Sequence, residues 1–393
     1  MPRIDLTNYE GREQAYVKHS LLDVYLPELA YRVGKKWDSL TYVDGFAGPW
    51  KTHDPTHADS SFAIAINALR RSQAGLREGH GRELQVECVL VEHDKIAFAE
   101  LEQFAAKESS DKFKIHAIQG EFVKEIPAIE LLVKNSGNKS FKFILLDPTG
   151  WAQIPMDGIK SFLHDRSSEV LINLMMRDIN RFLGQPDRSE SYRRLFGRHG
   201  VLEVLQQTPA EELAERAVLE YSRSLKQLCG FKYVSSAVIL QPTKESILYF
   251  LVYATNHPRG IEVFKAAEIK AARIQDDVRN QTRIQKTGQP GLLFDLEPPK
   301  SRKAWALQRR YSESARKQVI AMLRQNSTPD GVAYRDLFCE AMFFPLVTPN
   351  NLVNWLNEMK PNIEFRLAGS PSRRKPSASE EDRVVVINST ALV

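Results

Sequence analysis

Along the first 280 residues the apolar positions keep two rhythms in turn. Short runs that are apolar at nearly every position, LTYV (40–43), VECVLVE (86–92), IHAI (115–118), KFILL (142–146) and EVLINLMM (169–176), alternate with longer stretches in which apolar residues return every three or four positions. Strands buried on both faces produce the first pattern and amphipathic helices the second. Strand and helix in alternation predict a mostly parallel sheet wrapped on both faces. The helices are expected over about 12–34, where Tyr16, Leu21, Leu22, Tyr25, Leu26 and Leu29 recur and Pro27 should kink or divide the helix, over 60–77 with Ser60 or Ser61 as N-cap, over KIAFAELEQFAAKE (95–108), and over about 122–135.

Residues 187–228 read as helices. Two β-rich runs then follow, FKYVSSAVILQPT and ESILYFLVYATNH, joined by a link too short to cross over and make a parallel pair. The fold class predicted is therefore α/β, a doubly wound, mostly parallel, Rossmann-like sheet that ends in an antiparallel hairpin. After a helix expected at 262–278, the polar, Pro- and Gly-bearing tract NQTRIQKTGQPGLLFDLEPPKSRK reads as a linker over 280–303. Three further helices, over 311–325, 333–342 and 348–360, precede IEFRLAG and RVVVIN, which flank a basic polar tract. That order predicts a C-terminal winged helix, giving domains at 1–279 and 304–393.

Composition narrows the class. At 393 residues the chain exceeds the roughly 250–300 at which a single core stops growing. With 42% hydrophobic and 26% charged residues it has the balance of a globular protein. No run approaches the ~20 apolar residues of a membrane span, and the N-terminus lacks a signal-peptide pattern, so a cytoplasmic location and no membrane partner are expected. The three cysteines, Cys88, Cys229 and Cys339, are far apart and support neither a disulfide framework nor a metal site. The net charge of +5 is uneven: residues 301–393 hold 14 basic and 9 acidic side chains, and the remainder balances. The excess on the C-terminal domain points to nucleic acid as a partner.

In an open α/β sheet, ligands bind beyond the C-terminal ends of the strands. The first run ends in Asp44, Gly45, Phe46, Ala47 and Gly48, small residues that let a ligand approach the backbone while the next helix favours a carboxylate. The second ends in Glu92, placed to accept hydrogen bonds from ribose hydroxyls. The third runs into Gly120 and Glu121, where an acid can receive an adenine amino group, and the fourth into Asp147, Pro148, Thr149, Gly150 and Trp151. Each acid alone could equally be a helix N-cap. All four ends in this order define one crevice.

DGFAGP resembles the glycine motif of class I S-adenosylmethionine (SAM)-dependent methyltransferases, and LLDPTGW resembles the Asp-Pro-Pro-aromatic motif of those that methylate exocyclic amines of nucleobases. More closely, VKHSLLDVYL, YVDGFAGPW, LVEHD, QGEF, LLDPTGW, LINLMMRDINRF and YATNHPRG, spread over roughly residues 15–270, resemble the three-Cys-motif partner family. The resemblance implies a class I methyltransferase-like fold, SAM as cofactor, a partner protein carrying a three-Cys motif, and phage or mobile-element surroundings. It implies cofactor binding by Asp44 to Gly48, Glu92 and Glu121. Asp147 and the Pro148 carbonyl would hold a target amine while Trp151 stacks on an unpaired base. A core aromatic capping the sheet is the alternative for Trp151.

Two departures stand out. Trp50 occupies a place where the glycine motif has another Gly, and Thr149 and Gly150 separate Pro148 from the aromatic. They keep a second reading open, a non-catalytic component that binds SAM or a nucleotide within a complex. A dehydrogenase is disfavoured by the hairpin ending and the absence of GxGxxG, and a Mg²⁺ nuclease at the strand-end acids is a further alternative. In the C-terminal domain, Asn350, Asn351 and Asn354 on the third helix and Arg373, Arg374 and Lys375 in the wing are the nucleic-acid candidates, with protein binding the alternative.

Overall fold

The computed structural model describes residues 6–48, 54, 57–135, 140–287, 302–326, 328–369, 373–389 and 392. Pro49 and Trp50 of the glycine motif and most of the expected linker lie outside the described residues. Strand and helix alternate as α1 (Glu13–Gly34), β1 (Ser39–Asp44), α2 (Ser61–His80), β2 (Gln85–Glu92), α3 (Lys95–Glu108), β3 (Phe113–Gln119), α4 (Phe122–Asn135), β4 (Ser140–Leu146), α5 (Met156–Leu163) and β5 (Ser168–Met175). Four helices follow, α6 (Met176–Phe182), α7 (Ser189–Phe196), α8 (Val201–Gln206) and α9 (Leu213–Cys229), then β6 (Tyr233–Leu240), β7 (Ile247–Thr255) and the long α10 (Pro258–Thr287).

These strands form a seven-stranded sheet in the order β3-β2-β1-β4-β5-β7-β6. Pairing is parallel from β3 through β5, while β7 runs antiparallel to both β5 and β6. The expected parallel sheet and its hairpin ending are therefore present. β1 is buried at all six positions, as a central strand covered on both faces must be. α1 packs against α2 and α10, and Gly34 lets α1 close on Leu76, whose Cδ1 would stand 2.3 Å from an added Cβ. Pro27 does not divide α1, which runs unbroken over 22 residues. On the far side of the sheet from the strand ends discussed below, the buried Glu169 accepts hydrogen bonds from Tyr25 and from Thr255 Oγ1 (2.9 Å), tying α1 to β5 and β7.

α10 continues eight residues past the expected start of the linker, to Thr287. The polar composition of that stretch concealed a helix whose inward face is buried at Val278, Arg279 and Thr282. Arg279 donates to the Lys244 carbonyl (2.9 Å) and pairs with Glu245, fixing the β6–β7 turn.

The C-terminal unit comprises α11 (Arg302–Gln325), β8 (Val332–Ala333), α12 (Tyr334–Phe343), α13 (Pro349–Glu358), β9 (Ile363–Arg366) and β10 (Arg383–Val386), with a small antiparallel sheet in the order β8-β10-β9. α12 lies over β6, so the sheet's last strand is covered rather than left as an open edge. A buried ion pair fastens the two units. Lys265 and Glu268 on α10 are 2.9 Å apart and only 1% and 2% exposed. Lys265 Nζ also donates to the Phe344 carbonyl (2.7 Å), and Glu268 Oε1 accepts from the Leu346 amide (2.8 Å). Leu346 has φ +63°, a left-handed conformation costly for a branched side chain, and the pair satisfies both backbone groups of the turn that holds it. Burial pushes Lys265 down and Glu268 up from their ordinary pKa values, and the partner charges oppose both shifts. Among the described residues no helix is long and apolar enough to cross a membrane.

Removing one member of this pair leaves the other charge buried alone. Lys265→Ala or Glu268→Ala should each cost roughly 3–5 kcal/mol in urea denaturation. The joint Lys265→Met, Glu268→Leu replacement should cost less than either. Single variants within about 1 kcal/mol of the parent would show that the pair does not carry the junction.

Candidate functional site

The reversal of strand order between β1 and β4 leaves a gap above their C-terminal ends. It is a crevice of about 730 Å³, lined by α1, by the turns after β1, β2, β3 and β4, and by Arg194 of α7. Small-molecule sites usually fall between roughly 300 and 1,000 Å³. A second cavity, of about 650 Å³, lies between α8, α9, α11 and α12, away from the strand ends.

Asp44 lies beneath the crevice, completely buried. Its Oδ1 accepts from the Phe46 amide (3.1 Å), and its Oδ2 from the hydroxyls of Tyr42 (3.1 Å) and Ser61 (3.2 Å). It therefore pins the glycine turn to the first residue of α2. The Gly45 and Ala47 amides donate to the carbonyls of Leu145 (3.0 Å) and Val91 (2.9 Å), which stitches the turn to both neighbouring strands. A Cβ at Gly45 would meet Leu146 and Phe122 at 2.9 Å, so the first glycine is a packing requirement, while Phe46 and Gly48 face the crevice. Burial raises Asp44 to about 6; the Phe46 amide opposes the rise, the Asp147 charge adds to it, and the Tyr42 and Ser61 hydroxyls oppose it.

Glu92, at the end of β2, is 3% exposed and lines the crevice. Oε1 accepts from the Asp94 amide (2.6 Å), and the carboxylate has no ion-pair partner among the described residues. Glu121 also lines the crevice but is exposed and paired with Lys124 at 2.8 Å, three residues on, and that hydrogen bond is the main cause of its lowered pKa. Its carbonyl accepts from the amides of Lys124 (2.8 Å) and Glu125 (3.1 Å), so it also begins α4.

Asp147 is in the crevice as expected, with both oxygens engaged. Oδ2 pairs with Lys18, reached from α1, and Oδ1 accepts from Asn173 Nδ2 (2.7 Å) on β5. Pro148 is buried. Trp151 does not line the crevice: it is 8% exposed, stacked on Phe182 (5.7 Å, 18°) and edge-on to Tyr192 (4.8 Å). The structure gives it the place of a core aromatic: with Thr149 and Gly150 between Pro148 and the ring, the aromatic comes one position later than in the Asp-Pro-Pro-aromatic motif and lies past the rim, against α6 and α7.

The C-terminal candidates divide similarly. Asn350 and Asn354 are exposed on α13, whereas Asn351 Oδ1 caps that helix, accepting from the Thr348 amide (2.8 Å) and hydroxyl (2.7 Å). Arg373 is bound by both its terminal nitrogens to the buried Asp382, at 2.7 Å each. Burial alone would raise Asp382, but Arg373 and the amides of Ser377 and Ala368 outweigh it and hold the carboxyl below its ordinary range. Arg374 and Lys375 are exposed.

The sequence does not single out Arg12 or Arg194; Lys18 and His19, by contrast, are legible there as residues of the N-terminal helix that either reach over the crevice or lie on a solvated face, and both line the crevice. Arg12 pairs with the buried Asp59 at the start of α2. His19 Nδ1 lies 3.0 Å from the Tyr9 hydroxyl, and burial, aided by Lys18 and Arg12, keeps the ring well below its ordinary pKa and so neutral. Arg194 lines the crevice without an ion pair among the described residues. Arg12 precedes α1 and Arg194 lies on the exposed side of α7, positions the sequence pattern alone does not distinguish from those of solvated arginines.

No protein-family model and no curated protein matches the sequence. Among solved structures the chain is similar to human methyltransferase-like protein 13 in complex with SAH, at 13% identity and TM-score 0.31 over 72% of this chain and 95% of that one. It is similar to loganic acid methyltransferase with SAH at 8% identity and TM-score 0.31 (76% and 93% covered). A DUF574 family protein from Streptomyces avermitilis gives 8% identity and TM-score 0.31 (62% and 83%). Likenesses this distant leave the chemistry to this chain's own residues.

The raised Asp44 fixes a pH dependence. Its folded value of about 6 lies above the ordinary 3.8, so the protonated form's contribution to stability is complete below 3.8 and lost as pH rises through 6. Relative to Asp44→Asn, the parent should lose up to about 3 kcal/mol across that window. Parallel denaturation curves at each pH test this, and a gap that stays flat through the window contradicts it.

Proposed function

We propose that this protein is a SAM-dependent methyltransferase-like protein that acts on nucleic acid together with a three-Cys-motif partner protein. The observation that carries the reading is Glu92, a buried carboxylate with no ion-pair partner among the described residues, at the end of β2 and next to a glycine turn at the point where strand order reverses. A vicinal diol such as ribose suits that carboxylate, which has acceptor capacity beyond the single Asp94 amide. The Gly45–Gly48 turn and the start of α2 suit an anionic end group, and the Gly120–Phe122 turn borders the space left for a base. These residues fit SAM, which when bound supplies a methyl group on a sulfonium.

The chain's own residues then orient and exclude water. Asp147, which lines the crevice and is held from two sides by Lys18 and Asn173, is the acceptor this reading gives to a substrate amine, and that amine must take the place of the Lys18 ammonium. Alignment of this kind is worth roughly 7–11 kcal/mol in well-placed reactions, so no strong general base is required. The C-terminal unit, with three helices and a β8-β10-β9 sheet, is read as a winged helix, α13 presenting Asn350 and Asn354 and the wing presenting Arg374 and Lys375 to nucleic acid.

The Lys18–Asp147 pair and the burial of Trp151 favour a second reading, a component that binds SAM or a nucleotide without turnover. Titration calorimetry with SAM and with S-adenosylhomocysteine tests the shared premise. Binding by the parent, weakened tenfold or more in Glu92→Ala and abolished in Gly48→Arg, is expected. Heat from neither ligand, with the protein folded, would overturn the first reading and leave of the second only a component that binds a nucleotide. With binding established, methylation of DNA or RNA that is lost in Asp147→Ala separates the first reading from the second.

A further inference from the structure

The segment between β5 and α8 carries a chemistry that the crevice does not use. Residues 176–199 hold six arginines against three acids, a local excess within residues 1–300, whose charges balance as a whole. Two of the six are committed: Arg193 to Glu190 at 2.5 Å and Arg198 to the buried Glu220 at 3.0 Å. The other four, Arg177, Arg181, Arg188 and Arg194, are exposed. Arg177 and Arg188 have only loose contacts with Asp178 and Asp187, at 3.7 and 3.8 Å, and Arg181 and Arg194 make no ion pair among the described residues. Arg177 and Arg188 are both exposed, and contacts at such distances contribute little and give way readily to a stronger anion.

Position distinguishes this group from an ordinary solvated face. α6 starts directly where β5 ends, on the side of the sheet where Asp147 lies, and Arg194 itself lines the crevice. Arg181 and Arg188 are held over the Phe182 ring, 5.3 and 5.0 Å from its centroid, and Phe182 is stacked on Trp151 in the turn that follows Asp147. Two long side chains are thereby ordered before any ligand arrives, which lowers the entropy lost on binding. In the wing, by contrast, the first arginine of the basic cluster is spent on Asp382.

We propose that the α6–α7 segment is a binding surface for single-stranded nucleic acid, its exposed arginines taking successive phosphates and leading one unpaired nucleotide past Arg194 into the crevice. This rests on the nucleic-acid part of the proposed function and not on the cofactor. An unpaired strand suits the geometry because a base inside a duplex must first be taken out of its stack to enter a crevice.

The test is fluorescence anisotropy of the full chain with labelled unpaired DNA and, separately, unpaired RNA across a salt series. Arg181→Glu with Arg188→Glu should weaken binding about tenfold or more, and Arg194→Ala should flatten the plot of log affinity against log salt by roughly one phosphate contact. The charge-keeping pair Arg181→Lys, Arg188→Lys should retain most of the affinity, which separates loss of charge from loss of fold. Unchanged binding in the Glu variants, binding abolished only by Arg374→Ala with Lys375→Ala, tighter binding of duplex than of single strand, or equal competition by polyglutamate would each overturn the proposal. SAM calorimetry on the same variants keeps the two readings apart. Absence of SAM binding with strand binding still lost in the Glu variants would defeat the cofactor reading and support this one.

Discussion

The reversal of strand order between β1 and β4 is the constraint on which the rest of the molecule depends. Connections on either side of that point run to opposite faces of the sheet, so no helix can close the space above it, and the C-terminal ends of both strands open into one gap. The strand-end acids owe their places to this: Asp44 ends β1 beneath the crevice, Asp147 follows β4 across the reversal, and Glu92 ends the next strand out. The sheet could not be rearranged without separating them.

α1 converts that gap into a site with a defined interior. Its lower half is anchored through Tyr25 to Glu169 and Tyr253, and its upper half reaches over the crevice with Arg12 and Lys18, each bound to an acid on the far wall. The result is a set of paired charges beside which Glu92, lining the crevice, has no ion-pair partner among the described residues. Paired groups give shape; the unmatched group is where a ligand gains most, because it replaces water and not an existing partner.

Much of the fold was legible because its signals are local. Runs such as VECVLVE and EVLINLMM are strands because they are buried on both faces, and the short link before ESILYFLVYATNH can only make a hairpin. The capping of α13 by Thr348 and Asn351 is also written locally, although Asn351 read equally well, with Asn350 and Asn354, as a residue offered to bases. The end of α10 was not legible, since its last turns are polar and hold their place by packing Arg279 against the β6–β7 turn. The site was legible as far as the strand ends and no further. That Asp147 would meet Lys18, 129 residues earlier, or that Trp151 would slide under Phe182, depends on how helices cross the sheet, which periodicity does not encode.

The Lys265–Glu268 pair has a consequence for how such a chain can change over time. It recognises the turn at 344–346 through backbone atoms alone, so the identities of Phe344 and Leu346 are only loosely constrained while the shape of that turn is fixed. Side chains there can drift one at a time, but a C-terminal unit exchanged from another protein would leave two charges stranded in the junction unless its own turn offered a carbonyl and an amide at the same two points. The junction thus couples the two units through shape: the tail can vary its surface without being free to be swapped.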